Sequence, residues 1–139
     1  MPRQVTLLQI QRVVDANYNR AKEGLRVCED VCRFVRDDQK ATARFKKLRH
    51  DLTKAASVFG LKDIVAARDI EKDVGRTTIA AESRRGSVAD IFYANAQRVK
   101  ESLRVLEEFS KLKSPGASVA FKKLRYTVYE IEKNALKQL

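Results

Sequence analysis

Apolar residues recur along this chain at alternating intervals of three and four. Near the N-terminus, Leu7, Ile10, Val14, Ala21, Leu25, Cys28, Cys32 and Val35 keep that interval, with Tyr18 filling the one gap. Side chains so spaced share one face of a helix, which predicts an amphipathic α-helix. Phe45, Leu48, Leu52, Ala55 and Phe59 predict a second helix; Phe92, Ala96, Val99, Leu103 and Leu106 a third; Ala117, Phe121, Leu124, Val128, Ile131 and Ala135 a fourth. Asp37 and Asp38 break the pattern between the first two, and Ser114-Pro115 has the residue types of an N-cap and first helical turn. Four such helices with short hairpin loops imply an all-α fold, an antiparallel helical bundle.

The pattern repeats itself. Residues 16–30, ANYNRAKEGLRVCED, match residues 94–108, ANAQRVKESLRVLEE, at an offset of 78, and FKKLR at 45–49 recurs unchanged at 121–125, at an offset of 76. Two ordered blocks at nearly constant offset mark a duplication. The chain therefore divides as a single domain into one helix hairpin at about 7–59, a connector at about 60–86 and a second hairpin at about 87–138. A connector of that length inside a compact domain is usually functional or disordered. Its apolar residues Ile64, Val65, Ile70 and Val74 argue for a short packed helix, with a turn at Asp73 to Gly75.

A second stripe runs along the duplicated helix: Val13, Asn17, Arg20, Gly24, Val27, Val31 and Phe34, copied as Ile91, Asn95, Arg98, Ser102, Val105, Phe109 and Leu112. Asn and Arg interrupt an apolar line in both copies. Burying such groups unpartnered costs about 1–3 kcal/mol or more, so they must be paired, solvent-lined or ligand-facing. Glu23 and Arg26, with Glu101 and Arg104 in the copy, flank them at helical spacing. Either the stripe is a polar network that fixes helix register, or it lines a ligand site where the two copies approach each other.

Charge adds one clue. There are 29 Lys and Arg against 18 Asp and Glu, a formal net charge of +11. That excess suits anionic partners such as phosphorylated small molecules, acidic lipid or nucleic acid. The basic residues are spread along the chain and stacking aromatics are few, which makes nucleic acid the less favoured of these. No signal-peptide core or membrane-length apolar run is present in the sequence, and a cytoplasmic address is the expectation. Cys28 and Cys32, four apart on one helix, read as reduced core residues, since a disulfide wants closer, differently directed Cβ atoms.

Outside the stripe, candidate residues are fewer. His50 is the sole histidine and its repeat counterpart is Tyr126, a slot that favours a flat, partly polar ring. Arg49 and its copy Arg125 are candidate anion contacts or plain surface pairs. In the connector, Arg68, Asp69, Asp73 and Arg76 suit phosphate and a divalent cation, or else cap short helices. A glycine-rich phosphate loop, a zinc ligand set and a nucleophile–base pair are all missing from the sequence, which argues against hydrolytic nucleophile chemistry.

Residues 15–30 (DANYNRAKEGLRVCED), 48–51 (LRHD), 67–75 (ARDIEKDVG) and 94–108 together resemble one family. It is the small helical domain found alone or at the N-terminus of some bacterial thiamine phosphate synthases, regarded as an alternative hydroxymethylpyrimidine phosphate kinase. The resemblance extends from about residue 8 to 137 and leaves no room for the barrel that joins pyrimidine to thiazole. It implies transfer of a phosphoryl group from ATP, with Mg²⁺, to hydroxymethylpyrimidine phosphate. Under that implication Arg20, Arg98, Arg49 and Arg68 would bind phosphate, with Arg26, Arg125 and His50 as further substrate contacts. Asn17 and Asn95 would hold the pyrimidine or ribose, and Glu23, Asp69 and Asp73 the Mg²⁺. Asp15, His50 and Asp51, which occur in the first half only, favour that half as the working one. A non-catalytic scaffold for a thiamine-pathway enzyme and a basic nucleic-acid-binding bundle are the alternatives, and a homodimer is a further expectation.

Overall fold

The structure is a computed structural model that describes residues 3–77 and 83–138; residues 78–82 of the connector lie outside the described residues. It is all-helical. The elements are α1 (Leu7–Asp30), which runs on through a π-helical turn at Val31–Val35, α2 (Gln39–Ala56), α3 (Leu61–Ala66), α4 (Val88–Ser110) and α5 (Pro115–Leu136). The four long helices form a square in which α1 touches α2 and α4, and α5 touches the same two. Every neighbouring pair is antiparallel, as the hairpins require.

Local chemistry sets the helix ends. Thr6 caps α1 through a reciprocal capping box with Gln9. Asp38, Ser87 and Ser114 cap α2, α4 and α5, each accepting from a backbone N–H of the first turn. Asp37 adopts a positive φ of 50°, a conformation aspartate tolerates better than most residues, and lets the chain reverse after the π turn. Arg36, next to it, reaches across to the end of α5 and donates to the Ala135 carbonyl at 3.2 Å. A cation there completes carbonyls the helix leaves unpaired.

The core is the first stripe. Val14, Ala21, Leu25, Cys28, Cys32, Phe45, Leu52, Phe92, Val99, Leu106 and Phe121 are all essentially inaccessible. Phe45 and its copy Phe121 are among the largest fully buried side chains, and Phe45 meets Phe92 edge-on at 6.0 Å. Both cysteines are free and buried. Burial pushes the Cys28 thiol well above its usual range; burial and the neighbouring Asp38 push Cys32 up to about 11, with Arg36 acting the other way. Both therefore stay protonated core residues at neutral pH.

The ends of the stripes depart from expectation. Leu7, Phe34, Val35 and Leu112 are exposed, each at or beyond the end of its long helix, and the Arg33 guanidinium lies over the Phe34 ring at 4.8 Å. In the connector, α3 is the expected short helix and Ile64 is buried, but Val65, Ile70 and Val74 are exposed. A helix of six residues has one face to bury, and Ala67, not those three, completes it.

The closest approach in the bundle is α1 on α4. A Cβ at Gly24 would lie 2.7 Å from Val99 Cγ2 and 3.0 Å from the Asn95 carbonyl oxygen. Val99 is β-branched and inaccessible, so it cannot swing away. Overpacking such a contact costs about 1–3 kcal/mol, more than the roughly 0.5–1 kcal/mol alanine gains over glycine within a helix. Gly24→Ala is expected to be net destabilising, by about 1–2 kcal/mol in urea unfolding; a variant more stable than the wild type would refute the close crossing.

Candidate functional site

A cleft of about 700 Å³ opens at the N-terminal half of α1. Val13, Asn17 and Arg20 of the second stripe line it from α1, Arg68, Asp69 and Asp73 from the connector, and Phe109 from α4. The duplicated helices thus do meet at a site, but it is built on the first copy. Asn95 and Arg98 do not line it.

Helical periodicity explains the α1 wall, since positions 13, 17 and 20 fall on one face. Asn17 is buried; its side-chain amide donates to the Val13 carbonyl at 2.9 Å, and its Oδ1 accepts from Arg20 at 3.4 Å. Asn95 repeats the in-helix bond, to Ile91 at 2.8 Å. Arg20 and Arg98 are both exposed. Ile10, Val13, Ile70 and Phe109 give the cleft apolar walls.

The connector is anchored to this cleft by Asp15, which is buried. Arg68 grips it with two donors, Nε to Oδ2 and Nη2 to Oδ1, each at 2.8 Å. Such a two-point ion pair has the fork geometry that makes arginine selective for carboxylates. Asn19 adds a bond to Asp15 Oδ1 at 3.1 Å. The Asp15 bond and charge raise the Arg68 pKa, with Glu23 adding a smaller Coulombic contribution, so the guanidinium is permanently charged. Position 15 becomes Tyr93 in the second copy, so this clasp belongs to one half alone.

Asp69 and Asp73 stand at the rim as turn-formers: Asp69 Oδ1 accepts from the Lys72 N–H at 3.2 Å and Asp73 Oδ1 from that of Gly75 at 2.9 Å. Among the described residues no cluster of three or more His, Cys, Asp or Glu could cage a metal. The second Asp69 oxygen lies 3.9 Å from Lys72 Nζ, so a cation there would share these two carboxylates with a ligand's phosphate oxygens.

Arg49 and Arg125 go elsewhere. Glu29 is completely buried and accepts from Arg49 Nε at 3.0 Å and Nη2 at 3.4 Å. At the copied position Glu107 accepts from Arg125 Nη2 at 3.2 and 3.4 Å. Arg26 and Arg104 add outer contacts to the same carboxylates, at 3.2 and 3.5 Å. The anion partner of each repeated arginine is thus internal. Glu23, Arg26 and Arg49 line a smaller depression of about 380 Å³ with Asn19 and Lys22. His50 is exposed and lines neither hollow.

A sequence profile of the ThiD2 family matches residues 12–134. The chain belongs to the ThiD2 family. Similar curated proteins are thiamine-phosphate synthases: one from Synechocystis sp. is 43% identical over 91% of this chain and 36% of its own length. Those from Nostoc punctiforme and Rhodopirellula baltica are 41% and 35% identical, over 91% and 86% of this chain and 35% and 32% of their own lengths. The chain therefore spans about a third of the curated relatives it matches. No solved structure matches it significantly. Among the described residues no helix is long and apolar enough to cross a membrane.

Sequence reasoning marks Asp15 as particular to the first half but not its pairing with Arg68, and it misses Glu29 and Glu107. Glu29 and Glu107 carried a usable signal, since opposite charges recur at matching places in both halves with Arg49 and Arg125. Removing one partner of a buried pair leaves an uncompensated charge and costs about 3–5 kcal/mol. Arg26 stays on Glu29 in Arg49→Met, so the loss in chemical unfolding is expected below that range, about 1–3 kcal/mol, with Glu29→Leu/Arg49→Met recovering most of it; a double variant as unstable as the single one would show that packing, not charge, sets the cost.

Proposed function

We propose that this chain acts in thiamine biosynthesis as an ATP-dependent kinase that converts hydroxymethylpyrimidine phosphate to the diphosphate. The observation that carries the reading is the cleft on the first copy of α1. It combines apolar walls for a flat heteroaromatic ring, the Asn17 amide for ring or substituent polar atoms, and three guanidinium groups, Arg12, Arg20 and Arg68, for phosphate. Family membership and the names of the related synthases point to the same pathway.

The chemistry asks little of the protein beyond placement. The acceptor is a phosphate oxygen, already ionised near neutral pH, so the transfer needs no general base, and the residues lining the cleft include no His, Cys or Ser. Attack of that oxygen on the terminal phosphorus of ATP breaks the bond to the leaving oxygen and yields ADP and the pyrimidine diphosphate. Phosphoryl transfer of this kind depends on alignment and on neutralising spread negative charge. Arg20, exposed and lightly tethered to Asn17, can follow the acceptor phosphate. Arg68 keeps donors beyond the two that Asp15 uses, and is held in place by that clasp. When bound, Mg²⁺ would supply further charge neutralisation, with Asp69 and Asp73 as its holders. The diphosphate is the substrate a thiamine-phosphate synthase consumes, which makes such an enzyme the natural partner.

A coupled assay with ATP, Mg²⁺ and hydroxymethylpyrimidine phosphate, using thiamine phosphate synthase to trap the product, tests this directly. ADP release should depend on the pyrimidine phosphate, and Arg20→Ala should lower kcat/KM by at least tenfold, about 1.4 kcal/mol of transition-state stabilisation. Absence of turnover by a folded protein, or unchanged kinetics in Arg20→Ala, would overturn the reading.

A further inference from the structure

The two copies of the repeat offer an internal comparison at Lys22 and Lys100, which occupy the same position in the motif. In the second copy Lys100 is neutralised: its Nζ is 2.7 Å from the Glu132 carboxylate, with only 11% and 9% of the two side chains exposed. The Tyr129 ring centroid lies 4.8 Å from the same ammonium. At an offset of 76, the first-copy counterparts of Tyr129 and Glu132 are Thr53 and Ala56. Lys22 consequently donates to two neutral oxygens, Thr53 Oγ1 at 2.9 Å and Tyr18 Oη at 3.0 Å, and no ion pair accompanies them. Lys22 also lies over the Tyr18 ring, 5.3 Å from its centroid, so what the first copy lacks is the carboxylate, and a partly buried ammonium with only neutral partners keeps its charge uncompensated.

Lys22 lines the depression of about 380 Å³ together with Arg26, Arg49, Asn19 and Glu23. Three cations line it against Glu23 and the buried Glu29 behind it. Arg26 is half exposed and uses one nitrogen on Glu29, leaving the rest of its fork to solvent. The hollow adjoins the cleft, because Asn19 lines it while bonding Asp15, which lines the cleft. Seven residues separate Asp15 from Lys22, about 10 Å along the axis at 1.5 Å per residue.

We infer that this depression holds the phosphate chain of a nucleoside triphosphate, with Lys22 and Arg26 as its contacts, next to an acceptor bound in the cleft. The assignment rests on the kinase reading for the identity of the acceptor. A chain of several charges matches a multiply cationic hollow, whereas the cleft has its own guanidinium groups for a single phosphate. In the second copy Glu132 supplies internally the anion that a ligand would supply in the first.

Calorimetric titration of the full chain tests this with Mg²⁺-bound AMP-PNP, inorganic tripolyphosphate and hydroxymethylpyrimidine phosphate, on wild type, Lys22→Met and Arg26→Ala. Arg26 is a half-exposed surface residue, so its variant stays informative if Lys22→Met folds poorly. AMP-PNP and tripolyphosphate should bind at least tenfold more weakly in both variants, with pyrimidine phosphate affinity within twofold of wild type. Nucleotide affinity unchanged in both variants, or a loss confined to the pyrimidine phosphate, would overturn the assignment. Lys22-dependent nucleotide binding without turnover would remove the kinase reading and keep the site; turnover with unaltered nucleotide affinity in the variants would do the reverse.

Discussion

A buried carboxylate gripped by an arginine holds each half of this protein in register. Glu29 sits at the α1–α2 interface and Glu107 at the α4–α5 interface, each with negligible exposure and each answered by the arginine that ends an FKKLR block. Apolar stripes alone fix which faces meet, but they tolerate sliding by a helical turn. A charge that must find its partner does not, and a single buried polar pair can specify register at some cost in stability. With both hairpins locked, the Gly24 contact sets how α1 lies on α4 and so where the stripe of Asn17 and Arg20 comes to rest.

Duplication supplies the frame, and divergence between the copies supplies the chemistry. Several positions where the halves agree are structural, Phe45 with Phe121, Glu29 with Glu107 and Arg49 with Arg125, whereas Asn17 and Arg20 are repeated but line the cleft in the first copy alone. Where they differ, the first half gains polar or open features. Asp15 stands where the copy has a tyrosine and clasps Arg68 of the connector, while Thr53 and Ala56 stand where the copy has a tyrosine and a glutamate and leave Lys22 without a carboxylate partner. The net positive charge is thus spent unevenly. Several cations serve internal carboxylates, whereas Arg20, Lys22 and Arg26 on one helix keep donors available.

Much of the fold was legible because its signals are local or repeated. The three-and-four spacing gave the four long helices, Ser114-Pro115 and the paired aspartates gave two boundaries, and the duplication gave the symmetry. The π turn at Val31–Val35 was not legible, since nothing in VCRFV distinguishes it from an ordinary last turn. Phe34 and Leu112 continue the periodic stripe although both are exposed. Of the candidate site residues, Asn17, Arg20, Arg68, Asp69 and Asp73 line one cleft, Glu23, Arg26 and Arg49 a second hollow, and Asn95, Arg98, Arg125 and His50 neither. Spacing along one helix cannot say which end a partner covers; the Asp15–Arg68 clasp, 53 residues apart in sequence, decides that and is visible only in the folded chain.

The central claim is that the first copy of α1, with the connector, binds the acceptor. Titrating ¹⁵N-labelled protein with hydroxymethylpyrimidine phosphate and following backbone amide shifts tests it most directly. The account predicts the largest shifts at residues 13–20, 68–73 and 109. Largest shifts centred on Asn95 and Arg98 in the second copy would contradict it.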